Sequence, residues 1–232
     1  MPVPARCLRP EQPVAPFLVY GGTFDPVHCG HLAIACAARD ALQCTVRLMP
    51  AGDPPHRAAP GANATARAAM IALAIDAMPG LVLDRRELER EGRSYTVDTL
   101  EALRTELGPS RPIAWLVGAD SLLGLTGWHR WTELLDLAHL VVADRPGSAI
   151  DSALAPALAD ALRGRWTDRA DAVCDAPSGR VLRLGQPLHA VSATEVRARI
   201  ARGASLQGWV PGKVAAFIDE TGLYRSRPGA SL

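Results

Sequence analysis

Residues 17–32 read FLVYGGTFDPVHCGHL. The apolar run from Phe17 to Tyr20 stops at Gly21 and Gly22. The segment 31–42 is rich in Ala, Leu and Ile with few breakers, so the stretch reads as strand, glycine turn, helix. TVRLMP (45–50) then reads as a second strand. A strand–helix–strand unit of this length is one crossover, and such crossovers imply parallel strands covered by helices. Without a Cβ, Gly21 and Gly22 let the main chain turn sharply and come close to a phosphate, toward which the following helix directs its N–H groups and positive dipole end. His28 and His31, three residues apart, fall on one face of that helix's first turn.

The same alternation continues outward. Thr65 is placed to cap a helix over 65–78, LVLD (81–84) reads as a strand, and 96–107 reads as a helix stopped by Gly108-Pro109. IAWLVG (113–118) and LVVA (140–143) supply further strands. About five strands alternating with helices predict an open, doubly wound, Rossmann-like parallel α/β sheet whose ligand sits outside the C-terminal ends of the strands. Beyond it, 151–163 reads as one helix, 164–180 is polar and resists assignment, and 192–202 and 211–221 read as short helices, the last stopped by Gly222. The expected organisation is an irregular extension over 1–16, one domain over 17–224 with a small C-terminal helical portion from about residue 188, and a tail over 225–232.

A formal charge of +1 offers no surplus of cations for a polyanion, so nucleic acid is not an expected partner. A small phosphorylated ligand needs only a few local cations. These must be arginines, because Lys213 is the only lysine and lies far from the motifs. The five cysteines (Cys7, Cys29, Cys36, Cys44, Cys174) form no CxxC pair and predict neither disulfide framework nor zinc cage. No signal-peptide core or bilayer-length apolar run is present, so the expected setting is the cytoplasm, away from membranes, with homo-oligomerisation left open.

Two imidazoles at a helix start can donate hydrogen bonds to a phosphate whose charge grows during transfer. For one such histidine the plainer reading is a cap; the pair beside a Gly-Gly turn argues for chemistry. Zinc ligation by His28, Cys29 and His31 is disfavoured, since neighbouring helical residues point apart and no fourth ligand is evident. Neither GxxxxGK[ST] nor a GxGxxG after the first strand is present, which leaves a P-loop enzyme or an oxidoreductase without its fingerprint.

The segment resembles the signature of the nucleotidyltransferase superfamily, whose HxGH motif is matched by His28, Gly30 and His31. Along the chain, GGTFDPVHCGHL, MPAGDPPHR (49–57), GRSYTVDTL (92–100), WLVGADSLLGLTGWHRW (115–131), HLVVADRPG (139–147) and VSATEVRARI (191–200) resemble, in order, blocks of bacterial nicotinate-nucleotide adenylyltransferases. The resemblance implies transfer of AMP from ATP to nicotinate mononucleotide, with Mg²⁺ carried on the ATP phosphates rather than by a protein metal site.

By that resemblance His28, His31 and Arg197 are catalytic. ATP is expected over Gly21, Gly22, Thr23, Phe24, Gly30 and His31, with Gly118, Asp120, Arg145, Ser192, Thr194 and Arg197. The nicotinate nucleotide is expected at Thr23, His56, Arg57, Tyr95, Thr96, Trp128 and His129. Trp128 is assigned the pyridine stack and Trp131 the core, while backbone N–H groups near His129 would hold the nicotinate carboxylate and reject the uncharged amide. Plainer roles stand beside these: Thr96 as a helix cap, Ser192 with Glu195 as a capping box, and Pro54-Pro55-His56-Arg57 as a surface loop. Two rivals remain, a transferase acting on another acceptor such as phosphopantetheine, and a nucleotide-binding regulator without turnover.

Overall fold

The computed structural model describes residues 14–52, 61–144, 150–185 and 191–225. Seven parallel strands form one sheet: β1 (Phe17–Gly22), β2 (Val46–Pro50), β3 (Leu81–Leu83), β4 (Ile113–Gly118), β5 (His139–Asp144), β6 (Trp166–Thr167) and β7 (Val181–Gly185). They lie in the order β3-β2-β1-β4-β5-β7-β6. The chain builds outward from β1 in one direction and, after returning to β4, in the other. Paired Phe17↔Ile113 to Tyr20↔Leu116, β1 and β4 therefore flank the switch point, beyond whose C-terminal strand ends this topology puts its ligand crevice.

The helices are α1 (Cys29–Leu42), α2 (Ala64–Ile75), α3 (Arg86–Glu89), α4 (Thr96–Leu107), α5 (Ala119–Leu123), α6 (Leu134–Leu137), α7 (Ile150–Ala153), α8 (Pro156–Leu162), α9 (Ala193–Ala201) and α10 (Gly212–Thr221). Strand alternation sorts them into two layers. Leu18, Tyr20, Leu48, Leu116 and Val141 face one side, where they pack with residues of α1, α2, α9 and α10. Val19, Met49, Trp115, Val117 and Val142 face the other, packing with α4, α5, α6 and α8. Both faces are covered, so the central strands read as continuous apolar runs. Each fully buried Leu, Ile or Val contributes roughly 1.5–3 kcal/mol.

Several expectations are corrected. The sheet has seven strands rather than about five, because the 164–180 region contains β6 and is followed by β7. The cap of α2 is Asn63, whose side chain accepts the Ala66 N–H at 2.8 Å, not Thr65, and the helix ends at Ile75 rather than residue 78. The predicted helix over 151–163 is two, α7 and α8, with Pro156 at the first position of the second, where its missing N–H is harmless. Thr96 does not cap α4. It is already helical, and Tyr95 takes the N-cap position without a side-chain bond.

Candidate active site

The motif after β1 is folded by its own side chains. His28 is the N-cap of α1 in extended conformation; its Nδ1 accepts the His31 N–H at 3.3 Å, and the His31 Nδ1 accepts the His28 N–H at 3.3 Å. The rings stack with centroids 3.6 Å apart and planes 22° from parallel. The pair is thus a reciprocal capping box as well as the candidate for chemistry. Backbone N–H groups can only donate, so each Nδ1 is an acceptor and each neutral ring carries its proton on Nε2. The box thereby sets the tautomer that gives two Nε2–H donors.

The glycines have specific causes. A Cβ on Gly21 would lie 2.4 Å from the Trp115 ring, and one on Gly22 would lie 3.1 Å from the Phe24 ring, so both sites are filled by aromatic side chains. A Cβ on Gly30 would crowd the His28 ring at 3.1 Å and the Val191 carbonyl at 3.3 Å. Gly30 is therefore the residue that lets His28 lie back on its helix. Phe24 holds a left-handed φ of 50°, rare for a bulky residue, with its ring buried edge-on to His31 at 4.9 Å. Its ring packs beneath the histidine and offers no exposed face.

Of the first three N–H groups of α1, Cys29's donates to the Trp209 carbonyl at 2.9 Å and His31's to His28. Two of the three helix-end donors expected to meet phosphate are thus used inside the protein.

Two residues without any expected role hold this loop in place. Arg67, on α2, is 1% exposed. Its Nη1 donates to the carbonyls of Thr23 at 3.0 Å and Ala51 at 2.7 Å, and its Nη2 to Gly52 at 3.1 Å, tying the loop after β1 to the one after β2. Asp25 is also buried. Its Oδ2 accepts the Gly61 N–H at 2.7 Å, and its Oδ1 the Ala62 N–H at 3.0 Å and the Tyr224 hydroxyl at 2.6 Å. Arg197 donates from Nη1 to the Asp25 carbonyl at 2.6 Å, with its guanidinium 3.8 Å from the carboxylate, and from Nη2 to the Thr194 hydroxyl at 3.4 Å. About a third of the Arg197 side chain stays exposed toward the crevice edge. Ser192 is the α9 cap, its Oγ accepting the Glu195 N–H at 3.2 Å, while the Glu195 carboxylate turns to Arg202.

The opposite flank is built from rings and turns. Gly118 leads into α5 with nothing near the position a Cβ would take, and Asp120 is exposed in the first turn of that helix. Tyr95 and His129 rings meet at 4.4 Å. Trp128 and Trp131 are both half-buried against the same apolar cluster, so burial does not separate the expected stacker from the expected core residue. Trp128 N–H closes a turn on Leu125 at 2.9 Å, and Trp131 N–H closes one on Trp128 at 3.3 Å. Among the described residues no acceptor meets the N–H of His129 or of Arg130, whose φ is 51°. Behind Tyr95, Glu87 is buried and accepts the Thr99 hydroxyl at 2.8 Å, and burial raises its carboxyl above the usual range. His56, Arg57 and Arg145 lie outside the described residues.

The structure thus brings Gly21, Gly22, Thr23, His28, Gly30, His31, Thr194 and Arg197 to the crevice from β1, α1 and α9. It places Gly118, Asp120, Tyr95, Thr96, Trp128 and His129 on the β4–α4 side. Among the described residues no three His, Cys, Asp or Glu side chains converge as a metal cage, and no helix is long and apolar enough to cross a membrane.

Residues 19–199 match the model of the family described as cytidylyltransferase-like. A probable nicotinate-nucleotide adenylyltransferase of Stenotrophomonas maltophilia is 58% identical over 214 residues, covering 90% of this chain and 96% of that protein. One from Xylella fastidiosa is 45% identical, covering 89% and 95%. In fold, the chain is similar to Plasmodium falciparum nicotinic acid mononucleotide adenylyltransferase complexed with NaAD, with a TM-score of 0.68 at 14% identity, covering 90% of this chain and 96% of that one. On this evidence of sequence over nearly its whole length, the chain belongs to the cytidylyltransferase-like family and, within it, to the nicotinate-nucleotide adenylyltransferases.

Proposed function

We propose that the chain transfers AMP from ATP to nicotinate mononucleotide, releasing pyrophosphate and giving nicotinate adenine dinucleotide for NAD biosynthesis. The observation that carries the reading is the reciprocal His28–His31 box, which fixes two Nε2–H donors at the start of α1 beside the switch point. Family membership supplies the substrates.

In this reading the triphosphate lies over Gly21, Gly22 and the histidine pair, with its outer phosphates toward Ser192, Thr194 and Arg197. A phosphate oxygen of the acceptor attacks the α-phosphorus in line; as that P–O bond forms, the bond to pyrophosphate breaks and its electrons leave with the pyrophosphate. No covalent enzyme intermediate is needed, so the protein's work is to position and neutralise. The imidazoles donate to the α-phosphoryl oxygens as charge builds, and because they are already held by the box they need not reorganise during the step.

Mg²⁺ arriving with ATP would supply further charge neutralisation. The two imidazoles and the Arg197 guanidinium are hydrogen-bond donors rather than oxygen ligands, a donor set suited to the phosphates of a metal-bound nucleotide. On the acceptor side Trp128 stacks on the pyridine ring, Tyr95 and Thr96 border it, and the N–H groups of His129 and Arg130 receive the carboxylate. A neutral amide loses those charge-assisted bonds, which favours nicotinate over nicotinamide.

The test is pyrophosphate release from ATP and Mg²⁺ with nicotinate mononucleotide, nicotinamide mononucleotide or phosphopantetheine as acceptor. Strong preference for the first is expected. Preference for another would retain the transfer chemistry and overturn the acceptor assignment, and no release with any would leave a nucleotide-binding regulator.

A further inference from the structure

We propose that Tyr224 is a positioning residue for the transfer reaction: its hydroxyl, acting through Asp25, sets where the Arg197 guanidinium stands. The inference rests on the reading of Arg197 as a phosphate-binding residue. Tyr224 lies just beyond α10, which ends at Thr221, and 199 positions separate it from Asp25. It nevertheless reaches the centre of the first motif, donating to Asp25 Oδ1 at 2.6 Å, with its ring against Gly61, where a Cβ would lie 3.0 Å away. Burial and the neighbouring carboxylate push the phenol well above its ordinary value, so it remains a donor.

The argument concerns how one carboxylate divides its attention. Asp25 is buried among three short donors: the Gly61 and Ala62 N–H groups and the Tyr224 hydroxyl. The guanidinium of Arg197 stands farther off at 3.8 Å from Oδ2, and its short bond runs instead to the Asp25 main-chain carbonyl at 2.6 Å. Arg197 is therefore oriented by Asp25 without being captured by it, and keeps donors for a ligand. Remove the hydroxyl, and Oδ1 retains a single short donor in a buried setting where an unsatisfied acceptor is costly. The nearest mobile cation able to replace it is Arg197. Drawn onto the carboxylate, the guanidinium would leave the place where phosphate is held, and fixed placement is what makes such a donor effective.

A merely structural tyrosine would predict lower stability with all kinetic constants affected alike. The relay predicts a directed effect. In Tyr224→Phe, which keeps the ring on Gly61 and hence the fold, kcat/KM for ATP is expected to fall about tenfold, less than for loss of a direct donor. The KM for nicotinate mononucleotide should stay within about twofold. Made in an Arg197→Ala background, the same change should cost no further activity, because the residue through which it acts is gone.

Both single variants and the double variant, assayed for kcat and for KM of each substrate and checked for unfolding midpoint, decide the matter. Equal losses from Tyr224→Phe in both backgrounds, or no loss in the wild-type background while Arg197→Ala is impaired, would overturn the relay and leave the role of Arg197 standing. Full activity in Arg197→Ala would overturn the phosphate reading of that residue and the relay with it.

Discussion

On the flank of the crevice formed by α1 and α2, charged groups are buried and committed to the main chain: Arg67 binds three carbonyls of two loops, and Asp25 binds two amides at the approach to α2. Across from it, on the turns of 125–133, charged groups lie at the surface, while buried Glu87 and part-buried Arg104 fasten α4 behind them. On these turns Arg130 reaches Glu101 at 2.6 Å and Glu133 at 2.8 Å with all three side chains partly exposed, and the residues assigned to the acceptor are Trp128, Tyr95 and His129. A buried guanidinium on carbonyls admits one geometry, whereas exposed ion pairs and ring contacts admit several at little cost. The comparison teaches that the flank assigned to phosphate chemistry is preorganised, and the flank assigned to recognising the acceptor is adaptable.

Substitutions can break this contrast or sharpen it. The largest expected effect is His31→Ala, which removes one Nε2 donor and half of the capping box; kcat should fall about 10²- to 10³-fold in a pyrophosphate-release assay. A loss confined to KM would mean that the histidine binds the ground state only, and the preorganised flank would lose its distinction.

Next is Arg67→Met, which leaves the three carbonyls without their guanidinium donor in a closed interior. Stability should drop by about 3 kcal/mol in urea unfolding, with turnover reduced in the protein that remains folded. A change below about 1 kcal/mol would show the loops to be held by something else. Across the crevice, Trp128→Ala should raise KM for nicotinate mononucleotide about tenfold while kcat changes little, the signature of lost uniform binding. If kcat fell instead, this flank too would be part of the transition-state machinery.

Acid should act on the scaffold through one buried histidine. His139 is fully buried at the start of β5, its Nδ1 accepting the Arg180 N–H at 3.0 Å and its Nε2 donating to the Ala176 carbonyl at 2.8 Å. Burial lowers its value below the ordinary 6.5. The unfolded chain therefore binds this proton first. The stability His139 contributes is complete above pH 6.5 and is lost as pH falls from there through the folded value. Unfolding midpoints across pH 5 to 8 should show an acid decline that is smaller in His139→Gln. The smallest effect expected is from Arg130→Ala, with no resolvable change in unfolding midpoint; a large change would contradict the picture of an adaptable flank.

The sequence made β1, β4 and α4 legible because the runs there end at glycine or proline punctuation, and α1 legible by the glycine turn before it. It hid β7, whose run VLRLG carries Arg183 at its centre and follows a polar stretch, so an edge-proximal strand looked like loop. It hid the break between α7 and α8 because the composition stays helix-forming across Pro156. At the site, the spacing of His28 and His31 exposed the pair, but not that the two residues cap each other, since a cap and a donor look alike in sequence. Arg67 and Tyr224 were missed because their roles are contacts over 44 and 199 positions. One local signal for Arg67 existed: it is the lone charge in ATARAAMIALAI, and a single arginine in so apolar a helix must find acceptors inside.

The walls of the first motif come from the far end of the chain: Val191 against Gly30, Trp209 on Cys29, Arg197 and Tyr224 on Asp25. During synthesis, the histidine pair therefore leaves the ribosome early and waits for α9, α10 and Tyr224 to be translated before its surroundings close. A nascent or prematurely ended chain holds the signature residues without the walls that give them their geometry.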